Sequence, residues 1–224
     1  MRSLRFALVA ASLVVSTAFA SPADPKSGVD YMTLAQPQPT QAVGKKVEVI
    51  EFFMYHCPHC NVLEPALAQW VKKQGDNINF KRIHMPYRGP NDPEAHLYLT
   101  LEAMGKLDEL NPKIFKAIHV DRVRPDSDQA VIDLAVKNGV DRAKFMETWN
   151  SFGVTTKLRR LPAIMGAYKV ESVPTVVVDG KYMTSPAVAG QAAGATTSAQ
   201  AEQALLQVLD ALVAKSKAKT VNTK

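Results

Sequence analysis

The order of apolar and polar positions lays out a strand–helix–strand opening, a long helical middle and a hairpin followed by a last helix. From Lys46 to Met54 the residues KVEVIEFFM are β-branched and aromatic in a near-continuous run, the pattern of a buried strand. Helical spacing follows at once. Leu63, Leu67, Trp70 and Val71 share one face of a helix from about Cys57 to Lys73, and Gly75-Asp76-Asn77 breaks it. Pro58 suits the first turn, where the N–H that proline lacks would have no partner anyway. Ile78 to Met85 is a second strand.

Four helices follow: Pro93 to Met104, ended by Gly105, then Pro112 to Val120, Ser127 to Asn138 and Asp141 to Asn150. Ser127 and Asp141 are N-cap residues and Gly139 is a stop. A further helix runs from about Thr155 to Tyr168, with Pro162 expected to kink or divide it. Strands Thr175–Val178 and Lys181–Thr184 flank Asp179-Gly180, a strong hairpin turn. Residues 187–200, rich in Ala, Gly, Thr and Ser, read as a loop. Ala201 to Ala214 is a terminal helix with Leu205, Val208, Leu209 and Leu212 on one face, and the last ten residues are expected to fray. At the other end, residues 21–44 carry Pro22, Pro25, Pro37 and Pro39 and read as an irregular arm tethered by Tyr31 and Leu34. This order predicts an α/β fold, a mixed sheet with helices on its faces, interrupted by a helical insertion over 90–165.

The first twenty residues do not belong to that fold. Arg2 and Arg5 precede an apolar run from Phe6 to Val15, and Ala18-Phe19-Ala20 supplies a small-x-small cleavage pattern before Ser21. That sequence of features is a secretory signal; as a membrane anchor the run is too short for a bilayer core of roughly 30 Å. Setting aside its two arginines lowers the formal net charge from +6 to +4. The remaining basic residues are scattered, apart from Lys157, Arg159 and Arg160 and a lysine-rich end from Lys215, both read as solvated faces. Neither cluster carries interleaved aromatics, so nucleic acid is not implied.

Two cysteines are present, Cys57 and Cys60. A disulfide between them closes too small a loop to restrain much of the unfolded chain, and a chain of this size has no need of staples. C-x-x-C entered from a strand and opening a helix is instead a redox signal. The reacting species is the thiolate, which unpaired N–H groups and the helix dipole at an N-terminus stabilise. His59 adds to that stabilisation when it is charged or donates a hydrogen bond. Cys57 is therefore the sulfur that attacks or is attacked, and the deeper Cys60 resolves the mixed disulfide. Stabilising a thiolate stabilises the dithiol, so the disulfide becomes a stronger oxidant, by about 30 mV for each unit of pKa. A metal site is the rival reading, with His56 or His59 as further ligands, but a structural zinc takes four protein ligands and no second pair stands at suitable spacing. No metal or cofactor is expected. His84, His96 and His119 are isolated along the chain and read as packing or surface residues.

EFFMYHCPHC at 51–60, together with SVPTVVVDGKY at 172–182, resembles the DsbA family of periplasmic disulfide-donating proteins. A lowered cysteine pKa and an oxidising couple are established traits of that family. The resemblance extends over nearly all of the chain after the leader. It implies a thioredoxin-like fold over 21–89 and 166–224 with a helical domain inserted between. It also implies a periplasmic protein that oxidises unfolded exported proteins and is reoxidised by a quinone-linked membrane partner of the DsbB type; nothing in the sequence demands a dimer, so a monomer is expected. Val173-Pro174 matches the family's cis-proline loop, which lies against the cysteines and leaves the Val173 backbone free to pair with a substrate strand. Thr175 is expected to line the same groove, and His56 to touch substrate. Glu51 matches the acid beneath the site. On its strand it shares a face with Val49 and Phe53, an unusual place for a carboxylate. Two roles stay open for it, a proton relay to Cys60 or a structural acid paired with Lys81 or Arg82. Arg82 falls where the family often has a lysine. A disulfide isomerase or reductase is the rival enzyme, although residues 21–44 are too few for the dimerisation domain such isomerases add; a chaperone-like module with an inert disulfide is the rival outside enzymology.

Overall fold

A computed structural model describes residues 24–222, so the proposed leader and its cleavage site lie outside the described residues. Strand β1 (Met32–Thr33) precedes β2 (Val47–Phe53), helix α1 (Pro58–Gln74) and β3 (Ile78–His84). Five helices follow: α2 (Pro93–Ala103), α3 (Leu107–His119), α4 (Asp128–Lys137), α5 (Arg142–Trp149) and α6 (Phe152–Tyr168). Strands β4 (Thr175–Val178) and β5 (Tyr182–Thr184), then α7 (Pro186–Ala192) and α8 (Ser198–Asn222), complete the chain. The sheet runs β1-β5-β4-β2-β3, with β2 and β3 parallel and the other pairings antiparallel.

Strand β2 is buried along its whole length, Glu48 and Glu51 included, because helices cover both faces of the sheet. Val47 and Val49 pack with α1 and α8, whereas Ile50 and Phe52 meet Met165 and Tyr168 of α6 on the other face. Phe53 leads from the sheet into a third cluster, built largely from α2 to α6, which also encloses Tyr55, Cys57 and Cys60. The active-site turn thus stands where the sheet meets the helical block.

Several elements differ from the sequence reading, each for a local physical reason. The arm is not wholly irregular: Tyr31 and Leu34 are buried as expected, and β1 between them pairs with β5. Helix α3 begins five residues before Pro112, where Asp108 and Glu109 in its first turn complement the dipole and Leu110 and Asn111 are buried. Pro162 does not divide α6, because the buried face of Val154, Leu158, Leu161 and Met165 runs continuously past it. Part of the segment read as a loop is α7, capped by the Ser185 hydroxyl accepting from Val188 N, with Pro186 in its first turn. Helix α8 runs from Ser198 to Asn222, beyond both expected ends. Its Lys215 is partly exposed, and its Nζ also donates to Tyr31 Oη at 2.8 Å and lies over the Tyr31 and Tyr182 rings. The Asp179-Gly180 turn is as expected, both residues having positive φ (56° and 60°), the type I′ requirement.

Candidate active site

Cys57 is the N-cap of α1, with extended backbone (φ −73°, ψ 118°), and its carbonyl accepts from Asn61 N at 3.1 Å. No acidic residue occupies the first turn, so nothing there opposes an anion at the helix start. Pro58 and His59 are exposed between the two buried sulfurs, both of which are free thiols. The Cys57 thiol is lowered from 9.0 to about 6. Its largest influence is the hydrogen bond from the Cys60 thiol. Burial opposes the shift, while the backbone N–H groups of Cys60 and His59 and the His59 charge add to it. Cys60 moves the other way, raised strongly by that same bond, by burial and by the nearby Cys57 charge. One sulfur is thus an anion near neutrality and its neighbour keeps its proton.

Beneath α1, Glu51 is buried, and burial raises its carboxyl although Arg82 opposes the shift. Arg82 Nε donates to Glu51 Oε2 at 2.7 Å, while Lys81 pairs with Glu48. The second arm of Arg82 reaches Glu64, Nη2 to Oε2 at 2.7 Å. Glu64 stands one helical turn after Cys60, and burial pushes its carboxyl up to about 7 despite Arg82. Two carboxylates therefore share one guanidinium, and the sequence reading missed Glu64. Its i, i+4 spacing from Cys60 was the available signal.

The turn into the helix is clamped by side chains distant in sequence. Tyr55 N donates to His84 Nε2 at 3.2 Å, and His119 Nε2 lies 2.7 Å from Tyr55 O. Glu94, in the first turn of α2, accepts from His56 N at 3.0 Å and lies 2.8 Å from His56 Nδ1. Burial would raise the Glu94 carboxyl, but His56 and His84 outweigh it and hold the group at about 2. The His56 ring is raised in return, first by its bond to Glu94. His84 and His119 are thus not isolated, since each holds the Tyr55 peptide. His96, stacked on Trp149, is a packing residue as expected.

The Val173–Pro174 peptide bond is cis, and Cys57 Sγ lies 3.6 Å from Val173 O. Beside this edge opens a groove of about 400 Å³ that includes His59, Val173 and Pro174. Thr175 does not line it; the residue is buried and its hydroxyl donates to Ser172 O at 2.8 Å. The groove is lined by apolar residues such as Val62, Val173, Pro174, Pro186 and Ala201 together with serines, threonines and Glu202. His56 sits apart from the groove, against Tyr87 and Glu94. Among the described residues no three His, Cys, Asp or Glu side chains are grouped to hold a metal.

A family model described as a DSBA-like thioredoxin domain matches residues 93–205, from the start of α2 into α8. The thiol:disulfide interchange protein DsbA of Burkholderia cepacia is 41% identical over 206 residues, 92% of this chain and 92% of that protein. Its counterpart in Bordetella parapertussis is 36% identical over 211 residues, covering 94% and 95% of the two chains. The crystal structure of Pseudomonas aeruginosa DsbA superposes with a TM-score of 0.77 at 31% identity, covering 88% of this chain and 96% of that one. With relatives matched over more than nine-tenths of both chains and the fold superposing, the chain belongs to the DsbA family of thiol:disulfide oxidoreductases.

Proposed function

We propose that the Cys57–Cys60 disulfide is donated to unfolded exported proteins in the periplasm, after a signal peptide is cut near Ala20. The observation that carries this reading is the opposed acidity of the two sulfurs at the head of α1. In the forward direction a substrate thiolate attacks Cys57 Sγ and expels Cys60, which takes up a proton because its thiolate is disfavoured. The protonated Cys60 is a poor nucleophile, so the substrate's second thiolate resolves the mixed disulfide. Cys57 then leaves as a stable thiolate. Two electrons pass from the substrate dithiol to the protein, leaving Cys57 and Cys60 reduced. Resolution by Cys60 belongs to the reverse direction, when a DsbB-type quinone-linked membrane partner restores the disulfide.

Within this scheme Glu51 supplies or receives the Cys60 proton while Arg82 fixes its position. His59 adds positive charge beside Cys57, and Pro58 shapes the first helical turn. The Val173 backbone and Pro174 seat the substrate strand, while Thr175 and His56 act from behind as supports. Residues 21–89 and 166–224 form the thioredoxin-like domain and 90–165 the insertion, in a protein that acts as a monomer without a bound cofactor. The direct test is equilibrium with glutathione. Protein disulfide plus two glutathione gives protein dithiol plus glutathione disulfide, and the expected constant lies far towards reduced protein. Cys57→Ala abolishes exchange, whereas Cys60→Ala cannot form the donated disulfide and, supplied with glutathione disulfide, accumulates the Cys57–glutathione mixed disulfide with release of one glutathione, because no second protein thiol is present to displace it. A constant favouring the protein disulfide, or a Cys57 pKa near 8.5, overturns the proposal.

A further inference from the structure

The groove beside the cysteines carries a charge that the chemistry at sulfur does not use. His59 and the Val173–Pro174 edge line the groove together with the first turns of α8, including Glu202. Glu202 is half-buried, and burial alone moves its carboxyl, upwards. No lysine or arginine lines the groove, and His59 is its only other titratable residue. Among the described residues no cation pairs with Glu202.

The walls are fixed before anything binds. Gln200 Oε1 accepts from Thr196 N at 2.8 Å and Thr197 N at 3.1 Å, which locks the segment before α8. Gly190 of α7 lies directly against Ala201, so closely that a Cβ on it would come within 2.6 Å of the Ala201 Cβ. A carboxylate on such a wall, partly stripped of water and lacking a counter-charge, is under-compensated. A cation entering the groove restores the missing interaction, while an anion adds repulsion.

We infer that Glu202 is a specificity-determining residue: it receives a lysine or arginine side chain from the extended substrate segment that carries the reacting cysteine. This rests on the proposal that a substrate strand seats at the Val173–Pro174 edge. Main-chain pairing there is indifferent to sequence, whereas the groove alongside reads charge. Exported segments with a basic residue near the cysteine are then oxidised ahead of acidic ones.

The test uses the oxidised protein and a set of two-cysteine peptides, identical except for Lys, Ser or Glu scanned through the positions flanking the first cysteine. Each turnover converts a peptide dithiol to a disulfide and the Cys57–Cys60 disulfide to a dithiol, which added glutathione disulfide reoxidises for the next turnover. At the best position kcat/KM for the Lys peptide exceeds that for the Glu peptide by roughly two- to fivefold at low salt, the size expected of a partly exposed charge pair. The difference resides in KM and shrinks in 1 M salt, where the screening length is about 3 Å. In Glu202→Gln the Lys/Glu ratio falls towards unity, and in Glu202→Lys it inverts. Equal rates for all three peptides at every position, or a preference that survives in Glu202→Gln, overturn the inference while leaving disulfide donation intact. Failure to oxidise any peptide overturns the donor reading itself, and the inference with it.

Discussion

Replacing Cys60 with alanine separates two explanations of the Cys57 thiolate, a neighbouring thiol donor and the helix terminus. The bond from Cys60 is the largest influence on Cys57, ahead of the backbone N–H groups and the His59 charge. A hydrogen bond to a charged group contributes about 1.5–3 kcal/mol, and a weak sulfur donor belongs at the lower end. Removing it therefore raises Cys57 by about one unit, from about 6 to about 7. The thiolate fraction falls about fivefold at pH 6 and about twofold at pH 7. Cys60→Ser, whose hydroxyl still donates, stays closer to the parent. The assay is the pH–rate profile of Cys57 alkylation by iodoacetamide, with thiolate absorbance as a second readout. An unchanged midpoint in Cys60→Ala, or equal shifts in the alanine and serine variants, would refute the hydrogen bond as the main cause.

Three other substitutions probe the scaffold. Glu51→Gln removes one of two carboxylates from the half-buried Arg82; a loss of about 1–3 kcal/mol is expected in denaturant unfolding, less than for a wholly unpaired buried charge. It also alters the pH dependence of disulfide exchange; an unaltered profile removes the proton-relay role. Glu94→Gln tests the clamp on the active-site turn. Because its folded pKa of about 2 lies below the ordinary 4.5, Glu94 contributes stability above pH 4.5 that is lost as pH falls towards 2. That contribution is at most about 3 kcal/mol, so the variant has a flatter acid limb in pH-dependent melting, and an unchanged limb would count against the clamp. Gly190→Ala drives a Cβ into Ala201 and forces α7 from α8; about 1–3 kcal/mol is lost, lowering Tm by roughly 2–12 °C, and an unchanged Tm shows that the helices separate freely.

The features legible in the sequence were those written locally. The run in β2, the spacing of Leu63, Leu67 and Trp70 on α1, and Asp179-Gly180 each specify their geometry within a few residues. Cys57 at a helix start follows from the same local logic. The cis bond at Val173–Pro174 came from the family resemblance and not from the residues themselves. Helix α7 was hidden because an Ala/Gly/Ser stretch has the composition of a loop; its order comes from a Ser185 cap and from packing on α8. The clamps on Tyr55 and His56 were hidden for another reason. His84, Glu94 and His119 come from three separate elements. Only the β2–β3 register, which sets Phe53 opposite His84, could have placed one of them, and register is a tertiary fact.

Disulfide donation requires Cys57 to be a more comfortable anion in the folded dithiol than in the unfolded chain. Its folded value of about 6 lies below the unfolded 9.0, so this stability appears as pH rises through 6 and is lost as pH falls back through it. The disulfide form has no such ionisation. The decisive measurement is the difference in unfolding free energy between dithiol and disulfide forms across this range. The dithiol should gain about 2.5 kcal/mol on the disulfide form between pH 5 and pH 8. A difference that stays flat, or that moves in favour of the disulfide form, contradicts the assignment of the chain as a disulfide donor.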